Sequence, residues 1–184
     1  YLMLERRAGV ALVFVDRPPR ALEADAVLAS HREGARDGVR HLIAHGHREI
    51  AFLGDLSSLA TEQDRHLGYL EAMEDAGLPV RPELVAADLG TMDAAQEATG
   101  RLFALDRPPT AVFGAQNLVT IGALRALRDR RLQHTVALVG FDDFLLADLL
   151  DPPVTVVAQN PQEIGRLAAE QLFARLEGDT SPFT

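Results

Sequence analysis

The 184-residue sequence has no cysteine and no lysine. Without cysteine, disulfide staples, thiolate nucleophiles and cysteine-ligated zinc are excluded. Without lysine there is no Schiff-base chemistry, no phosphate-cradling P-loop and no phosphoryl-receiver site of the usual kind. All 18 basic residues are therefore arginines, set against 27 acidic residues for a net charge of -9. Such an excess repels phosphate backbones, so this stretch of chain is not expected to grip nucleic acid itself. No apolar run approaches the roughly 20 residues of a membrane span. Tyr1 to Gly9 has two arginines after Leu4 and no apolar core followed by small residues, so it does not read as a signal peptide. Gly-x-Gly-x-x-Gly is missing, and Ser57-Ser58 lacks the glycines of a nucleophile elbow. His41 and His45 share a helix face, but no HExxH glutamate accompanies them and His47 lies past the helix stop. Solvated or capping histidines are expected there, with no metal and no cofactor.

What is present is an alternation. Apolar runs of strand length occur at 10–15, 26–29, 50–53, 84–87, 110–113, 136–141 and 155–158. Between them lie stretches with helical periodicity: 1–7, 32–45, Thr61 to the Gly77-Leu78-Pro79 stop, 92–105, 118–131 and 161–177. The inward faces read as Ala35, Val39, Leu42 and Ile43; Leu67, Leu70 and Met73; Ala95, Ala98, Leu102 and Phe103; Ile121, Leu124 and Leu127; and Ile164, Leu167, Ala168, Leu172 and Leu176. Leu145 to Leu150 can form only a short apolar helix before Pro152-Pro153. Asn160 and Glu163 frame a capping box around Pro161. Strands alternating with helices call for right-handed crossovers and a parallel sheet covered on both faces. At this length the chain can bury roughly 70% of its unfolded surface.

Polar residues recur where strands end: Asp16, Asp55, Asp88, Gln116 with Asn117, and Asp142 with Asp143. Each alone reads as a turn residue or a helix cap. Together at one end of a sheet they stand where open α/β sheets bind ligands. Arg65 lies one turn inside the helix that Thr61 opens, with Asp64 as the third residue after it. The hydroxyl, the free helix amides and the guanidinium can converge on one cluster of ligand oxygens. The competing reading is a capping Thr61 and a surface salt bridge from Arg65 to Asp64 or Asp88. Asp142-Asp143 with Asp55 is like the acidic pocket of a phosphoryl receiver, but no lysine completes it.

Three stretches resemble the effector-binding core of the LacI/GalR family of bacterial transcriptional regulators, in both order and spacing. They are Gly34 to Asp55 (GARDGVRHLIAHGHREIAFLGD), Arg65 to Met73 (RHLGYLEAM), and Thr110 to Pro161, which includes TAVFGAQNLVTIGAL, VALVGFDD and TVVAQNP. The resemblance implies an α/β fold of the periplasmic-binding-protein-like type I class, with two doubly wound parallel-sheet lobes, the amino-terminal lobe incomplete. By that analogy residues 1–47 are part of the amino-terminal lobe, 48–155 the carboxyl-terminal lobe, and 156–184 a crossover strand and helix returning to the first. A small polar, sugar-like effector would sit in the cleft. Arg65, Asp142 and Thr61 carry over as effector contacts; physically, a carboxylate and an arginine fork suit the paired hydroxyls and oxygens of a polyol. Gln116 and Asn117 stand where Asn-Asp is common, Leu89 where an aromatic often stacks on the effector, and Ala29-Ser30 where an Asp-Asn pair is common. The resemblance further implies a cytoplasmic regulator that is not an enzyme and has no membrane partner. It would bind operator DNA through a headpiece absent from this chain and form a homodimer through 118–131 and 144–151, where Leu145, Leu146, Leu149 and Leu150 crowd together. The alternative is a transport-associated periplasmic sugar-binding protein of the same fold. An α/β enzyme is a third possibility, for which no nucleophile or base stands out.

Overall fold

The computed structural model describes residues 2–19 and 22–183; Tyr1, expected to begin the first helix, and Thr184, the end of the expected returning segment, lie outside them. The elements run α1 (Leu2–Arg7), β1 (Val13–Val15), β2 (Asp25–Val27), α2 (His31–Ala44), β3 (Ile50–Leu53), α3 (Ala60–Asp75), β4 (Val85–Ala86), α4 (Met92–Leu102), β5 (Ala111–Gly114), α5 (Asn117–Asp129), β6 (Ala137–Phe141), β7 (Thr155–Val157) and α6 (Pro161–Leu176). Two 3-10 turns, Pro82–Leu84 and Ala147–Leu149, complete the order. The first delays the strand expected at Leu84. The second is all that forms of the helix expected over 145–150, where Leu146 turns left-handed at φ 71°. Asn160 Oδ1 accepts the Glu163 N–H at 3.0 Å, which supplies one half of the expected capping box. The Glu163 carboxylate turns to Arg166 instead.

The chain divides into two compact units, Tyr1–Ala29 with Gln159–Thr184, and Ser30–Ala158. In the first, β1 and β2 pair in parallel, with Val13 opposite Asp25, and α6 packs on both strands. A buried Asp25 carboxylate is forked by Arg175, its Nε at 2.8 Å and Nη2 at 2.9 Å. The apolar stripe expected to be inward on α6 is only half covered, since no residue of that helix is buried.

The larger unit is built on five parallel strands in the order β4-β3-β5-β6-β7. Strands buried on both faces read as unbroken apolar runs, because each must supply alternate side chains to both layers. Accordingly Ile50, Phe52, Phe113, Val139 and Phe141 face one layer with Val39, Leu42, Tyr69 and Met73 of α2 and α3. Ala51, Leu53 and Val112 face the other with Ala95, Leu102, Val119 and Ala123 of α4 and α5. The expected divisions at 47/48 and 155/156 both fall inside this unit. Helix α2 packs along α3 and on β5, β6 and β7, and β7 pairs with β6, so both segments are welded to this sheet.

Two helices match the expected faces only in part, Met73 of α3 and Leu127 of α5 being buried as expected. Helix α3 buries Thr61, Glu62, Arg65, Gly68, Tyr69, Ala72 and Met73, while Leu67 is exposed. Helix α5 buries Val119, Thr120, Gly122, Ala123, Ala126 and Leu127, leaving Ile121 and Leu124 only partly covered. In both cases small or polar residues share the inner face with a few large ones, Tyr69 and Met73 in α3 and Val119 and Leu127 in α5.

Candidate functional site

In the order β4-β3-β5-β6-β7, the connections leave the sheet in opposite directions at the boundary between β3 and β5. Doubly wound sheets open a crevice at such a switch point, beyond the carboxyl ends of the strands. The segments after β3, β4, β5 and β6 carry Asp55, Asp88, Gln116-Asn117 and Asp142-Asp143, so four of the five expected polar positions share this edge. Asp16 does not share it, because β1 lies in the other sheet.

Arg65 reaches the switch point from one turn inside α3, and it is buried, with 5% of its surface exposed. Its Nη1 donates to the carbonyl of Ala115, the residue after β5, at 2.6 Å. The same nitrogen lies 3.3 Å from Asp142 Oδ2 at the end of β6. Its Nε donates to His31 Nδ1 at 3.3 Å, with Nη2 3.2 Å from the same atom. A guanidinium only donates, so this imidazole must accept at Nδ1. The guanidinium carbon stacks 4.1 Å from the Phe141 ring centroid, and His31 stands 5.8 Å from that ring. The salt bridge to Asp64 or Asp88 that spacing allowed is not made; the partner is Asp142, distant in sequence and partly exposed. One rigid donor fork is thus fixed at the tips of two strands, with most of its hydrogens assigned by the protein.

The other expected residues divide. Thr61 is buried in the first turn of α3, on the same helix face as Arg65. It does not cap the helix, whose N-cap position is Leu59. Gln116 and Asn117 are part of the helix start: Gln116 Oε1 accepts from the Leu118 and Val119 amides at 2.8 and 3.2 Å, and Asn117 Oδ1 from Leu118 at 2.7 Å. Their oxygens are therefore committed, and what they retain for a ligand is N–H donors. Leu89 is buried among Leu53, Leu84 and Val119 in the α4–α5 layer, as a core side chain. Asp88 accepts from both the amide and the hydroxyl of Ser57 at 2.8 Å, and these bonds hold its carboxyl below the usual range. Asp16, Asp88 and Asp142 all adopt positive φ, near 69°, 60° and 68°. Aspartate tolerates that conformation better than most residues, so part of the recurrence at strand ends is backbone geometry.

Sequence reasoning missed Glu62. It is 4% exposed, in the first turn of α3 among Arg65, Asp55 and Asp88. Burial pushes its carboxyl up to about 7, against the lowering effects of the Asp55 backbone N–H and of Arg65. The one signal available was Gly54: a Cβ there would collide with Glu62 Oε1, so glycine is what lets the carboxylate lie against the strand tip. His31 was also missed, although it adjoins the Ala29-Ser30 pair that the resemblance had singled out. A hollow of about 440 Å³ in this unit lies at the opposite, amino edge of the sheet, lined by His41, His45, His47 and His134 among aliphatic residues. No carboxylate or guanidinium lines it, and the charged chemistry gathers at the carboxyl edge.

Comparison with known proteins bears on this geometry. Residues 39–183 match the periplasmic binding protein-like domain. The HTH-type transcriptional repressor PurR of Vibrio campbellii is 30% identical over 177 residues, which cover 95% of this chain and 53% of that protein. The chain thus spans about half the length of such curated relatives. A regulatory protein of the LacI family from Chloroflexus aggregans superposes with a TM-score of 0.89 at 32% identity, over 96% of this chain and 64% of that one. A complex of the transcriptional regulator CelR with cellobiose superposes with a TM-score of 0.88 at 32% identity, over 100% of this chain and 57% of that one.

Proposed function

Because the chain belongs to the periplasmic binding protein-like domain family, in its LacI/GalR branch of regulators, we propose that it is the effector-sensing core of a bacterial transcriptional regulator. The effector is a small polar molecule of sugar-like character, held at the carboxyl edge of the five-stranded sheet. The observation that carries this reading is the buried Arg65, fixed 3.3 Å from Asp142 at the switch point of a doubly wound sheet. A guanidinium braced on a carbonyl, an imidazole and an aromatic face keeps its orientation before a ligand arrives, which lowers the ordering cost of binding. The neighbouring carboxylate accepts hydroxyl protons. These are complementary demands that a polyol meets. Support comes from the relative that carries cellobiose. The regulator relatives favour a binding module over an enzyme.

In the whole protein, the core works as a cytoplasmic homodimer, with operator DNA contacted by a segment outside this chain. The strongly acidic balance of these residues fits that division of labour. A transport-associated periplasmic sugar-binding protein remains the alternative of the same fold. The regulator relatives favour the first reading.

Calorimetry with a panel of mono- and disaccharides tests the site. Arg65→Ala and Asp142→Ala should each weaken the binding of a sugar that the wild type binds, by about 1.5–3 kcal/mol if they make charge-assisted hydrogen bonds. Unchanged affinity in both variants removes this edge as the effector site.

A further inference from the structure

The amino end of a helix at a strand tip ordinarily welcomes an anion, because its amides are free and its dipole end is positive. In the first turn of α3 the protein already places a carboxylate of its own, Glu62, turned against Gly54 and the Asp55 backbone. One carboxylate oxygen is engaged by the Asp55 amide, and Oε2 meets no hydrogen-bond donor among the described residues. A carboxyl oxygen on a side chain only 4% exposed, left without a donor, is costly. Asp55 and Asp88 surround it with further negative charge. Arg65, the cation among the groups acting on it, is itself committed to Ala115, His31 and Asp142. The microenvironment therefore lacks a donor and has no positive charge to spare.

We propose that Glu62 is a recognition residue of the effector site and that it selects a polyhydroxy ligand presenting an N–H or O–H donor, neutral or amine-bearing, while rejecting phosphorylated and carboxylated sugars. The inference rests on the reading of this edge as the effector site and adds the charge class of the ligand. A hydroxyl or ammonium supplies the donor that Oε2 lacks. An incoming phosphate or carboxylate would meet the negative charge of Asp55 and of the exposed Asp88 beside Glu62, and like-charge juxtaposition disfavours it.

The test uses matched sets of probes, each comprising a free hexose or pentose, its amino sugar, its phosphate and its uronic or aldonic acid. Binding is read by thermal shift and calorimetry near pH 7. In the wild type, the neutral or amino member of a set should bind at least tenfold more tightly than its phosphate or acid. Glu62→Gln, nearly isosteric, should narrow that ratio by several fold. Tighter or equal binding of the anionic members by the wild type overturns the proposal whatever the variant does. An unchanged ratio in Glu62→Gln removes Glu62 as the selecting residue. In both cases the effector-site reading survives, provided that Arg65→Ala weakens whichever member binds. If no member of any set binds the wild type, both readings fall together.

Discussion

Glu62 carries the largest upward carboxyl displacement at this edge, and it makes stability depend on pH in a defined direction. In the unfolded chain its carboxyl ionises near its ordinary value of 4.5; in the fold it does so at about 7. Between those values the unfolded state has released a proton that the folded state keeps. This residue's contribution is therefore fully present below about 4.5, is lost as pH rises through about 7, and then levels off. Its size is on the order of 3 kcal/mol at most. His66, which burial lowers, titrates in part of the same window with the opposite sign, so the informative quantity is the difference between proteins. Glu62→Gln should be more stable than wild type at pH 8, and the gap should close towards pH 4.5 when urea midpoints are compared. A gap that does not vary with pH would show that Glu62 is not desolvated. Arg65 and Asp142 were legible in the sequence because the pattern around them marks them. Glu62 was not, because a first-turn glutamate reads as an exposed charge favouring the helix dipole, and nothing local records that α3 turns that face into the sheet.

The same blindness acts on whole elements. Strands β3, β5 and β6 were legible because two-sided burial leaves an unbroken apolar run that polar residues cannot interrupt. The inner face of α3 was legible only in part: Met73 is buried and Leu70 packs on the core as expected, but the first turns send Thr61, Glu62, Arg65 and Gly68 inward and leave Leu67 exposed. Gly68 explains why so polar a face can be inside: α2 passes so close that a Cβ at 68 would collide with the Arg32 carbonyl oxygen and crowd Arg36 N and Ala35. Backbone cannot step aside as a side-chain tip can. Gly68→Ala should therefore cost about 1–3 kcal/mol as overpacking, despite the better helix propensity of alanine. Gly165 in α6 is the control, because nothing lies within 4 Å of the Cβ it would gain. Gly165→Ala should stabilise by about 0.5–1 kcal/mol through propensity alone. Urea unfolding of the two variants checks the contrast. Equal effects of the same sign would mean that α2 and α3 are not in close contact at this crossing.

At the scale of the molecule, α/β alternation announced parallel sheets, whereas the boundaries at 47/48 and 155/156 followed sequence analogy and the packing of the chain divides it elsewhere. An apolar helix face does not say in the sequence which sheet it will cover; the contacts of Ala35, Val39 and Leu42 assign α2 to Ser30–Ala158. That unit also exposes what its own core leaves over. Pro152-Pro153 and the left-handed Leu146 prevent 145–150 from coiling into a helix that could turn its leucines inward. Leu145 and Leu149 consequently stand 88% and 74% exposed, with Leu146 and Leu118 partly so. Isolated exposed leucines are ordinary, but several within five residues form a patch whose burial against a second copy would contribute roughly 25 cal/mol per Å² of apolar surface removed from water. Charging that patch reverses the term without touching the core, so Leu145→Arg with Leu149→Arg should leave the unfolding transition intact while shifting sedimentation at micromolar concentration from dimer to monomer. Because neither leucine is among the partners of the fork at Arg65, sugar affinity per chain should be retained in the charged variant. A variant that remains dimeric would place the subunit contact elsewhere, and a wild-type protein that sediments as a monomer would overturn the dimer itself.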